Sequence, residues 1–256
     1  MAPWTSGKIN LFRPGDQHSD MADRDKPVKQ PSDGNVDVFL RKLAMTPNVR
    51  AAADSGRLIF AMDATASREP TWDHACHIQS QMFTETAKLG GLSIQLCYYR
   101  GINEFSHFTW QHSSAELLKS MTSVFCLGGH TQIEKVLQHA IEQNRQRKVD
   151  ALVFIGDAME EDVDRLCQLG GELGLAGVPA FIFQEGDDPI AAHAFQSIAR
   201  LSNGAYCRFD AGSARQLREL LSAVAVYVAG GRKALDDFSQ GKPAVVRQLV
   251  RQLTRQ

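Results

Sequence analysis

The stretch Leu58-Ile59-Phe60-Ala61-Met62-Asp63-Ala64-Thr65-Ala66-Ser67 joins a run of apolar residues to three oxygen-bearing side chains at alternate positions. An unbroken apolar run of this length fits a strand buried on both faces, as in a parallel sheet covered by helices. Alternation at 63, 65 and 67 lets a loop leaving that strand point three hard oxygen donors the same way. Two later positions offer donors of the same kind. Thr131 follows Leu127-Gly128-Gly129-His130 at an expected helix start, and Asp157 follows the apolar run 151–156.

Outward from this stretch, the pattern alternates strands and helices. Strand 57–62 leads to a helix over 71–88 that Gly90-Gly91 stops. Strands 93–99 and 105–110, joined only by Arg100-Gly101-Ile102-Asn103 and Glu104, form an antiparallel hairpin. Helices over 114–121 and 131–145 follow, the second with Ile133, Val136, Leu137, Ala140 and Ile141 at helical spacing. Strand 149–155, helix 161–175, strand 179–183, helix 189–202, strand 205–209 and helix 213–229 complete the alternation. The expected fold is α/β: an open, doubly wound, Rossmann-like sheet, mostly parallel with one antiparallel edge strand and helices on both faces. Ligands of such sheets sit beyond the carboxyl ends of the strands, where Asp63 and Asp157 fall.

The flanks read differently. Residues 1–34 are polar, carry Pro3, Pro14, Pro27 and Pro31, and predict a disordered or loosely attached tail. A short helix ended by Pro47 opens a domain spanning 35–231. Residues 232–256 predict a hinge and an amphipathic helix over 243–256, with Val245, Val246, Leu249, Val250 and Leu253 opposite Arg247, Arg251 and Arg255. That helix is expected to pack back on its own domain.

Composition narrows the function. A chain of 256 residues that is 43% hydrophobic can bury a full core. Its net charge of -1 gives no global field toward nucleic acid or anionic lipid. No apolar stretch approaches the roughly 18 residues of a membrane span, and the N-terminus lacks a long apolar segment, so the expected compartment is the cytoplasm. Cys76, Cys97, Cys126, Cys167 and Cys207 are dispersed and contain no CxxC pair, which predicts reduced packing residues.

The donor chemistry of Asp63, Thr65, Ser67, Thr131 and Asp157 favours a hard divalent ion, Mg2+ first and Mn2+ or Ca2+ next, over zinc or copper. Two carboxylates balance a +2 ion and leave its coordination incomplete, so an acidic group from outside is expected to complete it. Other positions compete for attention. His74 and His77, with Cys76 between, read as surface residues. His130 is either a rim residue or an ordinary loop residue, and Trp72, beside Asp73, is either rim or core. Glu160, Glu161, Asp162 and Asp164 are expected to cap the helix that follows Asp157, and Asp187-Asp188 the helix that Pro189 begins.

The order Asp-x-Thr-x-Ser, then Thr131, then Asp157 resembles a von Willebrand factor type A domain with a metal-ion-dependent adhesion site, of the intracellular bacterial type. The likeness covers about residues 57–230, and Leu201 to Tyr206 resembles that family's Gly-rich turn into its last strand. Thr65 stands where the family motif has Ser and keeps the hydroxyl. The resemblance implies a binding domain and no enzyme: the bound ion receives an acidic side chain of a partner protein, with the domain acting as an adaptor, often beside AAA+ ATPase systems. Asp63 with Asp187-Asp188 also resembles a haloacid-dehalogenase-like phosphotransfer enzyme, against which Thr65 stands because that family has a second Asp there. A metal-free scaffold is the third alternative.

Overall fold

The computed structural model describes residue 38 and residues 55–69, 91–209 and 214–240. The expected N-terminal tail, the helix over 71–88 with Trp72, Asp73, His74, Cys76 and His77, and the C-terminal amphipathic helix lie outside the described residues, as does all but Val38 of the helix before Pro47.

Gly56–Asp63 forms β1, buried along its whole length. It lies between Leu92–Arg100 (β2) and Ala151–Gly156 (β4), parallel to both. Glu104–His107 (β3) turns back antiparallel on β2, while Ala180–Glu185 (β5) and Ala205–Phe209 (β6) extend the parallel sheet on the other side. The described strands make one six-stranded sheet in the order β3-β2-β1-β4-β5-β6, mostly parallel with an antiparallel edge, as the apolar runs predicted.

The two-residue period of β1 divides the core. Leu58, Phe60 and Met62 face a cluster with Leu117 and Met121 of Ser114–Thr122 (α1) and Leu221, Val224, Tyr227 and Val228 of the long helix Ala214–Gln240. Ile59 and Ala61 face the opposite layer. That layer is built from Ile133–Gln146 (α2), Val163–Leu175 (α3) and Pro189–Leu201 (α4), through residues such as Val136, Leu137, Leu166, Leu169, Phe195 and Ile198. Covering both faces removes most of the β1 side-chain surface from water, and each fully buried Leu, Ile or Phe contributes about 2 kcal/mol.

Some boundaries differ from expectation. The strand expected over 105–110 ends at His107, after which the chain makes only an isolated bridge from Gln111 to Ile94. Ala214–Gln240 (α5) breaks at Gly231, whose φ of 71° interrupts the helix two residues past the expected end at 229. The helix then resumes to Gln240, through polar residues read as part of a hinge. Cys97 and Cys207 are buried and free, and Cys126 and Cys167 are partly buried and free. Among the described residues no helix is long and apolar enough to cross a membrane.

Candidate metal centre

The alternation that sends Ile59 and Ala61 toward α2 sends Asp63 the same way, at the carboxyl end of β1 and with no exposed surface. Its two oxygens are held separately. Oδ1 accepts from the Thr65 backbone N–H at 2.7 Å, and Oδ2 accepts from the Tyr99 hydroxyl at 2.9 Å. Tyr99 reaches it because Asp63 and Tyr99 are register partners on β1 and β2. The Asp63 carboxylate is thus braced by its own loop and by the neighbouring strand. Burial raises the Asp63 carboxyl to about 6, and the negative charge of Asp157 adds to the rise, while the hydrogen bonds from Thr65 and Tyr99 oppose it.

After β1 the chain enters a single 3-10 turn, Ala66–Arg68. Thr65 is buried and Ser67 exposed, with their hydroxyl oxygens 3.1 Å apart. The loop is fixed from outside by Leu127, whose N–H donates to the Ala64 carbonyl at 3.0 Å. Gly101 N–H donates to the Leu127 carbonyl and His130 N–H to the Gly101 carbonyl, so the segment before α2 is stitched to the ends of both β1 and β2. Gly129 makes that approach possible: a Cβ there would lie 1.9 Å from the Gly101 carbonyl oxygen.

Thr131 is two residues ahead of α2, which starts at Ile133 instead of the expected position 131. The reason is a cap supplied from another loop. Glu161 accepts from the N–H groups of Ile133 and Glu134 at 2.5 and 2.8 Å, and Glu160 from that of Thr131 at 3.2 Å. Both glutamates were expected to cap the helix after Asp157. There the cap is Asp162 alone, accepting from Arg165 N–H at 2.8 Å, with Asp164 in the first turn. The Glu160 N–H in turn donates to the Thr131 hydroxyl at 3.0 Å, tying Thr131 to the loop that carries Asp157. His130 is exposed, with Nδ1 3.0 Å from Glu160 Oε2.

Asp157 follows the last residue of β4, and Gly156 packs beside Asp63, its Cβ position 3.7 Å from the Asp63 Cβ. Its Oδ1 is buried and has no hydrogen-bond partner among the described residues. Asp188, one of the two carboxylates of the phosphotransfer alternative, accepts from the N–H groups of Ile190 and Ala191 at 2.7 and 3.1 Å and caps α4.

Sequence reasoning missed Tyr99, Arg68 and Glu185 at this edge and gave Glu160 and Glu161 to the wrong helix. Arg68 is buried and ion-paired with Glu185 at the end of β5. Burial lowers its guanidinium from the ordinary value, and the charges of Asp157 and Asp63 pull it back up. Tyr99 had a usable signal: it ends the strand run next to the one that Asp63 ends.

The set suits a hard divalent cation. Its donors are carboxylate and hydroxyl oxygens, one buried carboxylate oxygen has no hydrogen-bond partner among the described residues, and the buried Asp63 carboxylate feels the charge of the half-buried Asp157. Among the described residues no three His, Cys, Asp or Glu side chains cluster as metal ligands.

No protein-family model matches the sequence, and no curated protein matches it. Solved structures do. A von Willebrand factor type A protein from Catenulispora acidiphila superposes with a TM-score of 0.54 at 14% identity over 68% of this chain, which spans only 43% of that protein. The VWA domain of SpRpn10 gives a TM-score of 0.50 at 14% identity, covering 70% of this chain and 98% of that one. Proximal thread matrix protein 1 from the mussel byssus, with a zinc-occupied MIDAS motif, gives 0.53 at 14% identity, over 70% of this chain and 48% of that one. This chain has the fold of a von Willebrand factor type A domain.

Proposed function

We propose that the domain binds a divalent cation, Mg2+ foremost, through Asp63, Thr65, Ser67, Thr131 and Asp157, and uses it to engage an acidic side chain of a partner protein. The observation that carries this reading is the buried Asp157 Oδ1, an acceptor without a hydrogen-bond partner among the described residues, beside the buried carboxylate of Asp63. Leaving such an oxygen unsatisfied costs about 1–3 kcal/mol, which a cation offsets. Zinc in the MIDAS motif of the byssus protein supports the same kind of site on the same fold. When bound, the ion supplies a positive centre for a carboxylate. The chain's own residues hold the donors, and Ser67, exposed at the outer edge, leaves that centre open to a partner.

The role is that of a cytoplasmic adaptor, with no reaction assigned. The partner class implied by the family resemblance is an AAA+ ATPase-associated system. Affinity capture from a native extract tests the reading, run with Mg2+, with EDTA and with Asp157→Ala. Partners retained only by the wild-type protein in Mg2+ support it. Retention that ignores both EDTA and the substitution contradicts it.

A further inference from the structure

Beside the proposed ligands lies a cation that the chain provides itself. Arg68 directly follows Ser67, yet its guanidinium is ion-paired with Glu185, the last residue of β5. In the sheet order β4 separates β1 from β5. Adjacent strands lie about 4.8 Å apart, so a side chain joining the β1 loop to β5 spans roughly two strand spacings and crosses the carboxyl end of β4. Asp157 sits there. Gly156 pairs with Gln184, so Asp157, just past β4, follows alongside Glu185, the last residue of β5. The Arg68 side chain is 1% exposed and that of Glu185 14%, so water screens this charge poorly. Arg68 is accordingly held within the field of Asp157 and Asp63 by a third carboxylate.

We propose that Arg68 is a tethered cation that shares the Asp63 and Asp157 charge with the metal and sets the site's affinity, Glu185 being the anchor that holds it back. This rests on the metal-binding reading above. The charges balance: three carboxylates offset Arg68 and a divalent ion together, whereas without metal Arg68 offsets only one of the three. Arg68 and the metal repel each other, and the strength of that repulsion depends on how firmly Glu185 keeps the guanidinium at the β5 end. The arrangement needs no change in protonation, because a guanidinium stays charged.

Mn2+ titration of the full chain by calorimetry, with melting in EDTA to establish folding, tests the proposal on R68Q, R68K and E185Q. Removing the positive charge in R68Q is expected to tighten Mn2+ binding by about tenfold or more, since a unit charge close to a divalent ion in a poorly solvated site is worth that much. R68K keeps the charge and stays near wild type. E185Q releases Arg68 toward Asp157 and Asp63 and weakens binding by about threefold or more. A folded R68Q that binds Mn2+ no more tightly than a metal-binding wild type overturns the proposal, and so does an R68K gain equal to that of R68Q. Should R68Q fail to fold, E185Q decides, and unchanged or tighter binding there overturns the proposal. Binding by R68Q where wild type binds none supports both the proposal and the metal reading. Mn2+ binding by no variant and not by wild type contradicts the metal reading itself, a result distinct from the failure of Arg68 alone.

Discussion

The Tyr99 hydroxyl donates to Asp63 Oδ2 at 2.9 Å, across the register pair at the carboxyl ends of β2 and β1. Burial and the adjacent Asp63 charge hold the phenol well above its ordinary value, so it remains a donor throughout the accessible pH range. Tyr99→Phe leaves a buried carboxylate oxygen unsatisfied. We expect a loss of about 1–3 kcal/mol in urea unfolding with EDTA present. An unchanged midpoint would show that the bond contributes nothing to the metal-free fold.

The metal site should be sensitive to acid. Asp63 titrates in the fold at about 6, above its value in the unfolded chain, so the metal-free fold takes up a proton between about pH 4 and 6. The stability this proton contributes is present at low pH and is lost as pH rises through about 6. A cation competes with the same proton. Apparent Mn2+ affinity is therefore expected to be flat above pH 6.5 and to fall by up to about tenfold per pH unit below 6. A pH-independent affinity between 5 and 7 would contradict the role given to Asp63.

His139 predicts the opposite slope, at a place remote from the donors. Its ring stacks on His107 with centroids 4.5 Å apart, and its Nε2 lies 2.9 Å from Gln95 Oε1, whose amide is oriented by donating to the Phe108 carbonyl at 3.1 Å. Desolvation, then the charge of His107, lowers its pKa to about 4. A histidine kept neutral in the fold contributes stability that is present above its unfolded value near 6.5 and is lost as pH falls toward 4. Between pH 7 and 4.5 the wild-type protein should lose about 1–2 kcal/mol more than His139→Gln, the ring being partly open to solvent. Parallel pH profiles of the two proteins would remove His139 from the account.

Gly129 tests the stitching of the loop before α2. An alanine methyl there meets the Gly101 carbonyl, so Gly129→Ala must move backbone and is expected to cost more than about 2 kcal/mol. Because Thr131 follows two residues later, the same change should weaken Mn2+ binding. A folded variant with wild-type stability and metal affinity would show that the close approach is dispensable.

The sheet was legible because its evidence is local. Runs such as 58–62 and 151–155 show a doubly buried strand without reference to any partner, and Arg100 to Asn103 is too short to join parallel strands. Asp63 and Asp157 were legible for the same reason, as polar residues ending apolar runs. What escaped depends on contacts between distant segments. Nothing near Glu161 says that it caps a helix starting 28 residues earlier, so the local pattern starts that helix at Thr131 and gives Glu161 to its own. Arg68 looks like an ordinary charged neighbour of Ser67 until the strand order places Glu185 two strands away.

The most direct test compares thermal unfolding of the wild-type protein and Asp157→Asn in EDTA and in Mg2+. Since Asp157 Oδ1 has no hydrogen-bond partner among the described residues and its charge repels that of Asp63, the substitution should leave the EDTA stability within about 1 kcal/mol of wild type, or raise it. At about a hundred times its Kd, Mg2+ should stabilise the wild-type protein by about 2.7 kcal/mol and the variant by much less. A wild-type protein that melts identically in EDTA and in saturating Mg2+, or a variant stabilised as strongly as wild type, would contradict the metal site.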